Sequence, residues 1–362
     1  VRIAILGTRG APARYGGFET LAEQLAWRLA ARGHEVTVYG RRGWVPEGLE
    51  RWRGVRLVVL PAIRSKHLET VTHTLLAAAH AAREGYDAAL LCNAANAPWI
   101  RILQLAGIPV AINVDGLERK RRKWGAAGRL WYRLGERLAL NADAVVTDAE
   151  VIRRYYRRVY RTRPAMIAYG GDLDPPGGDA TLRRLGLEPG RYLLYVSRFE
   201  PENNPDRVVA AYRHVPGDRP LVMVGGAAYD RALEARVRRL ADPRVLLPGP
   251  VYGEGYRELL YGCRLYVHAT EVGGTHPALV EAMGAGRPVV YHWTPENREV
   301  VGDAGVPFRF SGEPRLERVL AELVEDEARL AELGRRARAR VAARYRWDRI
   351  AEAYEALLEE LC

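Results

Sequence analysis

Three stretches of this sequence combine residue types and spacings suited to handling a charged phosphate ester. The first is Gly7-Thr-Arg-Gly-Ala-Pro-Ala-Arg-Tyr-Gly-Gly-Phe-Glu19, set between an apolar run and a helical pattern. Glycines there let backbone N–H groups approach a phosphate, and a helix N-terminus adds partial positive charge. The spacing is not Gly-x-Gly-x-x-Gly, and the next apolar run ends in Tyr39-Gly-Arg-Arg42 rather than in an acid for a nicotinamide ribose, which argues against a dehydrogenase. A loop that merely turns from strand to helix is the plainer alternative. The second stretch is Val196-Ser-Arg-Phe-Glu-Pro-Glu-Asn-Asn204. An arginine at a strand end can make forked, charge-assisted bonds to a diphosphate, or a surface salt bridge. The third runs Gly273-Gly-Thr-His-Pro-Ala-Leu-Val-Glu281. Its Gly-Gly-Thr turn presents N–H groups at a helix start, and Glu281 on that helix is either a carboxylate for the two hydroxyls of a ribose or an ordinary exposed acid.

Two basic segments carry interleaved aromatics: Glu118-Arg-Lys-Arg-Arg-Lys-Trp124, with Trp131 and Tyr132 beyond it, and Arg153-Arg-Tyr-Tyr-Arg-Arg-Val-Tyr-Arg161. This composition suits the headgroup level of an anionic membrane, so Arg119, Lys120, Arg121, Arg122, Lys123 and Trp124 are read as membrane-facing. Without a helix-turn-helix, zinc or stacking-sheet pattern beside them, nucleic acid is not expected as a partner; a plain solvated face is the other reading. Asp172-Leu-Asp174 has the form of a metal-holding Asp-x-Asp pair but falls in a Pro/Gly-rich run. His73 and His80 lie seven apart without a third ligand, which reads as helix-surface histidine. No metal and no cofactor are expected.

The elements that must position these residues come in two series. Apolar runs at 2–6, 36–39, 55–60, 88–91, 110–114 and 144–147 alternate with segments long enough for helices; a second series lies at 192–196, 220–224, 245–247, 265–267 and 288–291. Between them Leu173-Asp-Pro-Pro-Gly-Gly-Asp179 reads as a linker. Trp347 opens a last amphipathic helix with Ile350, Tyr354, Leu357 and Leu361 on one face. The expected organisation is α/β: a Rossmann-like domain over 1–172, a linker over 173–190, a second Rossmann-like domain over 191–344, and a final helix over 345–362. A length of 362 residues suits two domains facing across a cleft at the carboxyl ends of both sheets. Residues 1–172 hold 28 Lys+Arg against 15 Asp+Glu, net +13, and residues 173–362 hold 27 against 29, net −2. The anionic partner is therefore sought by the first half. Three distant cysteines without ligand spacing, no long uncharged apolar stretch and an opening strand pattern imply a cytoplasmic protein, peripheral to the inner face of the plasma membrane.

Over nearly its whole length the chain resembles the retaining GT-B glycosyltransferases of family four. Gly16-Gly17-Phe18-Glu19 is similar to that family's Gly-Gly-x-Glu loop, Arg198 to the arginine of its Arg-x-x-x-x-Lys element, and Glu281 to the second acid of its Glu-x7-Glu element. Residues 305–308 and the Trp347 helix resemble its closing segments, whose last helix crosses back onto the N-terminal domain. Two departures stand out: Asn203 occupies the lysine position and Gly273 that of the first acid, with Glu271 two residues too early. Those departures, together with Val114-Asp-Gly-Leu-Glu118, resemble a bacterial sub-group associated with rhamnosyl transfer in cell-surface polysaccharide assembly. The resemblance implies a UDP- or dTDP-linked sugar donor held by Gly16, Gly17, Arg198, Asn203 and Asn204, and by Gly273, Gly274, Thr275, His276 and Glu281. It implies a saccharide acceptor, lipid-linked, on the side of Glu19 and Asp115. Arg198 and Asp115 are the expected catalytic residues, Asp115 being otherwise a turn aspartate beside Gly116. Competing readings are a sugar-nucleotide epimerase or hydrolase of the same fold, and a non-catalytic nucleotide-sugar or polyanion-binding protein.

Overall fold

A computed structural model describes residues 1–63, 65, 68–227 and 230–362. The chain divides into two compact units: Val1–Lys120, Trp124–Tyr169 and Trp347–Cys362 form the first, and Arg121–Lys123 with Gly170–Arg346 the second.

The first unit is built on β1 (Arg2–Leu6), β2 (Glu35–Arg41), β3 (Arg51–Trp52), β4 (Val55–Leu60), β5 (Ala88–Cys92), β6 (Val110–Asn113), β7 (Ala144–Thr147) and β8 (Ala165–Met166). Their order in the sheet is β3-β4-β2-β1-β5-β6-β7-β8, parallel except for the antiparallel β3–β4 pair. Central strands such as β5, Ala-Ala-Leu-Leu-Cys, are buried at every residue, because helices cover both faces of a parallel sheet. The helix Gly17–Ala31 buries Leu21, Leu25 and Leu29 at helical spacing. Strands β3 and β8, two residues each at the sheet edges, are too short to leave a period in the sequence.

The last helix, Trp347–Leu361, belongs to this first unit. Its buried face is Trp347, Ile350, Ala351, Tyr354 and Leu358; Leu358 rather than the expected Leu357 points inward. Arg28 meets Asp348 at 3.0 Å, Arg32 meets Glu355 at 2.8 Å, and the Asn113 amide donates to the Tyr354 hydroxyl at 2.7 Å, fixing the helix beside the end of β6.

The second unit carries β9 (Leu193–Val196), β10 (Leu221–Val224), β11 (Val245–Gly249), β12 (Leu265–His268), β13 (Val289–His292) and β14 (Gly305–Phe308), all parallel, in the order β11-β10-β9-β12-β13-β14. Counted within the unit this is 3-2-1-4-5-6, the Rossmann order. Of residues 173–190, expected as linker, 173–179 are irregular and unburied, whereas the rest is packed: it contains the helix Ala180–Arg184, buries Leu182 and Leu187, and Glu258 accepts the Thr181 amide at 2.6 Å. Leu182 on the helix and Leu187 just beyond it anchor this part of the segment in the second unit.

Candidate active site

In an open α/β sheet the crevice for ligands opens where the strand order reverses, outside the carboxyl ends of the strands. In the second unit that point lies between β9 and β12, and the two C-terminal motifs follow these two strands. Arg198 stands two residues past β9, and Gly273, Gly274, Thr275 and the helix Pro277–Gly284 follow β12.

Arg198 lies 3.3 Å from Glu200 Oε1. The same oxygen accepts from Lys123 Nζ at 3.0 Å, while Arg121 is 3.6 Å from Glu200 Oε2 and 3.4 Å from Glu202 Oε1. Burial alone would raise the Glu200 carboxyl, but Arg198, Lys123 and Arg121 outweigh it and hold it down to about 2. Asn203 and Asn204 are buried. Asn203 donates to the Arg198 carbonyl at 2.8 Å, and its own carbonyl accepts from the Tyr195 hydroxyl at 2.8 Å. Asn204, in left-handed backbone (φ 54°), donates to the Ala269 carbonyl at 2.9 Å and to Glu271 at 3.0 Å, and accepts from Arg122 at 3.1 Å. Both were expected as donor contacts; the structure uses their amides to tie the β9 loop to itself and to the end of β12. Asparagine suits this task because it tolerates left-handed backbone and both donates and accepts.

Glu281 is buried, with the Tyr256 hydroxyl donating to its Oε2 at 2.5 Å, so it is not an exposed helix acid. Gly273 explains one departure from the family pattern. A Cβ on it would lie 2.2 Å from Cε1 of His276, so no side chain fits there while that imidazole keeps its place. His276 lies with its ring centroid 4.9 Å from that of His268. Burial, together with the positive charges of Arg121 and Arg198, pushes His276 well below the usual histidine range, and burial takes His268 down to about 3. Both are neutral at physiological pH. Close packing also fixes Gly284, whose Cβ would meet the Gly171 carbonyl at 2.0 Å.

In the first unit the glycine-rich loop follows β1 at that sheet's own reversal, between β1 and β5. Gly7 is in left-handed backbone (φ 88°), and a Cβ there would lie 2.3 Å from the Cys92 carbonyl at the end of β5. Gly16 caps the helix Gly17–Ala31. Glu19, expected on the acceptor side, is buried, and its Oε1 accepts the Arg9 amide at 2.8 Å, which closes the loop over the helix start. Asp115 is left-handed (φ 56°), its amide donating to Asn113 Oδ1 at 2.8 Å in an Asx turn; its charge reaches Cys92 and Tyr169. Sequence reasoning missed a charged cluster beside this loop. Arg9 and the buried Arg41 share Glu69 Oε2 at 3.0 and 3.5 Å, and Arg9 stacks 3.5 Å over the Tyr15 ring. Burial, with Arg9 nearby, lowers Arg41 to about 10. The Arg41-Arg42 pair at the end of β2 was the available signal. His73 is buried with Nε2 2.9 Å from the Gly40 carbonyl, not on the helix surface as expected.

The membrane-facing assignment needs correction. Arg121, with a side chain 7% exposed, pairs with the fully buried Glu202; Lys123 pairs with Glu200, and Arg122 lies 3.4 Å from Glu271. Arg119 is held by Glu136 at 3.0 Å and by the Tyr155 hydroxyl at 2.7 Å, and Trp124 packs against Tyr132. Only Lys120 and Arg122 of the six remain exposed. The tyrosines of 153–161 also turn inward: Tyr155 and Tyr160 donate to Glu136, and Tyr156 is buried. The exposed basic and apolar face is instead on the helix Ala126–Leu138, with Leu130 68% and Leu134 45% exposed among Arg129, Arg133 and Arg137.

The sequence of residues 16–170 matches the glycosyl transferase 4-like domain, and that of residues 181–340 matches the glycosyl transferases group 1. The fold and the matched domains define the class: this is a glycosyltransferase of GT-B architecture, two Rossmann-like units with a C-terminal helix on the first. Within that class it is related to proteins of the glycosyl transferase 4-like and group 1 families. A D-inositol 3-phosphate glycosyltransferase of Xylanimonas cellulosilytica is 26% identical over 93% of this chain and 90% of its own length. Two solved structures share the fold: sucrose-phosphate synthase from Thermosynechococcus elongatus (TM-score 0.82, 22% identity, 99% of this chain and 98% of that one) and Anabaena HepE in complex with UDP-glucose (TM-score 0.76, 19% identity, 99% of each chain).

Proposed function

We propose that this glycosyltransferase moves a rhamnose-like sugar from a UDP- or dTDP-linked donor to a lipid-linked saccharide in cell-surface polysaccharide synthesis, retaining the anomeric configuration and using no metal. The observation that carries the donor side is the convergence of Arg198 and the Gly273–Glu281 motif at the strand reversal of the second sheet. Glu281, oriented by Tyr256, accepts from the ribose hydroxyls. Arg198 and the amides at Gly274 and Thr275 take the charge that grows on the diphosphate as the sugar bond breaks; fixed donors stabilise that charge more in the transition state than in the bound donor. The acceptor oxygen bonds to the anomeric carbon on the face the diphosphate leaves, and its proton passes to the departing phosphate oxygen. Acceptor contacts come from the first unit, with Asp115 just past β6, while the loop of Gly16 and Gly17 at that sheet's reversal is kept for the donor.

Among the described residues no helix is long and apolar enough to cross a membrane. The proposed contact with a lipid-linked acceptor uses the face of Ala126–Leu138 instead. A surface depression of about 490 Å³ there is lined by Arg119, Lys120, Ala126, Arg129, Leu130 and Arg133, cations and apolar atoms without an acid, which suits anionic headgroups.

The test is a thermal-shift screen of UDP- and dTDP-sugars, since a ligand that binds the folded state alone raises its apparent stability. Product analysis with and without saccharide acceptors then follows, the anomeric configuration being read by NMR. Transfer with retained configuration is expected. Hydrolysis or epimerisation regardless of acceptor, or binding without turnover, would overturn the reading.

A further inference from the structure

The family pattern places a second cation five residues after the donor-loop arginine, and in this chain that position cannot supply one: Asn203 is buried and its amide is committed to the Arg198 carbonyl. Yet the loop is not short of cations. The tripeptide Arg121-Arg122-Lys123, 77 residues upstream of Glu200 at its closest, belongs to the second unit and lies along the loop that follows β9.

Its three side chains divide the work. Arg122 donates to the Pro201 carbonyl and to Asn204, and Arg121 pairs with the fully buried Glu202, so these two fasten the tripeptide to the loop. Lys123 is carried to Glu200 Oε1, where Arg198 also arrives. Two cations approaching one oxygen atom form a seat for an anionic oxygen. Glu200 fills that seat here, and a phosphate oxygen has the chemistry to take its place. The local charge agrees: Arg121, Arg122, Lys123, Arg198 and Arg207 stand against Glu200, Glu202 and Glu271, five positive charges against three negative, leaving the two that a diphosphate diester needs.

We propose that Lys123 is the second diphosphate-binding cation of this enzyme, replacing the lysine missing at position 203, with Arg121 and Arg122 as positioning residues and Glu200 holding the site until the donor arrives. The proposal rests on the donor-site reading above, and the experiment separates their failures. UDP and dTDP binding to the full chain is measured by calorimetry for the parent, Lys123→Met, Lys123→Gln, Lys123→Arg and Arg198→Ala, with exposed Arg318→Gln as the control. Lys123→Met and Lys123→Gln should weaken binding by about ten- to a hundredfold, as expected for loss of a charged hydrogen bond. Lys123→Arg should stay within about fivefold of the parent and Arg318→Gln within about twofold. Parent-like binding by Lys123→Met and Lys123→Gln, with binding lost in Arg198→Ala, would overturn the role of Lys123 and leave the donor site standing. Parent-like binding by Arg198→Ala as well would overturn both. Equal losses in Lys123→Met and Lys123→Arg, with lowered thermal midpoints, would make Lys123 a structural residue and overturn the proposal.

Discussion

At the scale of single residues, two side chains test the donor site from different sides. Arg198 is held by Glu200 but keeps its side chain 32% exposed, so a donor can reach it. Arg198→Ala should cost about 3–4 kcal/mol of transition-state stabilisation, a hundred- to thousandfold fall in kcat/KM measured by nucleotide release. A change under about threefold would place leaving-group stabilisation elsewhere. Glu281 is a different case, because it is buried under the Tyr256 hydroxyl. Glu281→Gln turns a charged acceptor into a neutral one and should weaken donor binding by about 1–2 kcal/mol. It should lower the thermal midpoint as well, since the Tyr256 bond weakens with it. A lower midpoint with unchanged donor affinity would make Glu281 purely structural.

At the scale of elements, amphipathic geometry decided which parts of the basic segments reach solvent. On the helix Glu150–Tyr160 the tyrosines face Glu136 and the interior, while Arg154, Arg157 and Arg158 face outward. The helix Ala126–Leu138 does the opposite with its leucines, exposing Leu130 and Leu134 beside arginines because Tyr132, Gly135 and Glu136 already fill its inner side. Gly135 permits that packing, since a Cβ there would lie 2.3 Å from the Ala94 carbonyl. The proposed membrane contact is therefore tested on this helix. Replacing Arg129, Arg133 and Arg137 with Gln should reduce co-sedimentation with anionic vesicles at low salt, each charge contributing about 1 kcal/mol near the surface. Leu130→Ser with Leu134→Ser should reduce it further, and binding unchanged by both sets would remove this helix from the contact.

At the scale of the whole molecule, burial of titratable groups in both units makes stability depend on pH. His73 faces Arg41, Arg9, Glu69 and the Gly40 carbonyl, and burial lowers it to about 4; His268, facing His292 and Asn297, falls to about 3. Histidines lowered in the folded state are protonated more readily when unfolded. Their stabilisation is complete above about 6.5 and is lost as pH falls from there toward 4 and 3. Glu200, lowered to about 2, contributes a further loss as pH falls from about 4.5 toward 2. Calorimetric thermal midpoints should thus decline below about pH 6.5, and His73→Gln should flatten the decline relative to its own value at pH 7. A midpoint constant from pH 7 to 5 would contradict this account.

By itself the sequence determined the strand series apart from β3, β8 and β14, the amphipathic last helix and the motifs that name Arg198 and Glu281. These signals are local: a run of apolar residues for a strand covered on both faces, a helical period, and glycines at strand ends. What only the tertiary structure decided are the long-range pairings. No local pattern indicates that residues 121–123 leave the first unit to meet Glu200 and Glu202, that Arg9 and Arg41 share Glu69, or that 181–187 pack rather than hang free. The aromatic and basic residues of 119–124 and 153–161 have the same composition whichever way they face. Their direction was set by the buried acids Glu136 and Glu202, because a desolvated carboxylate in the fold draws the nearest guanidinium, ammonium or hydroxyl out of solvent to satisfy its charge.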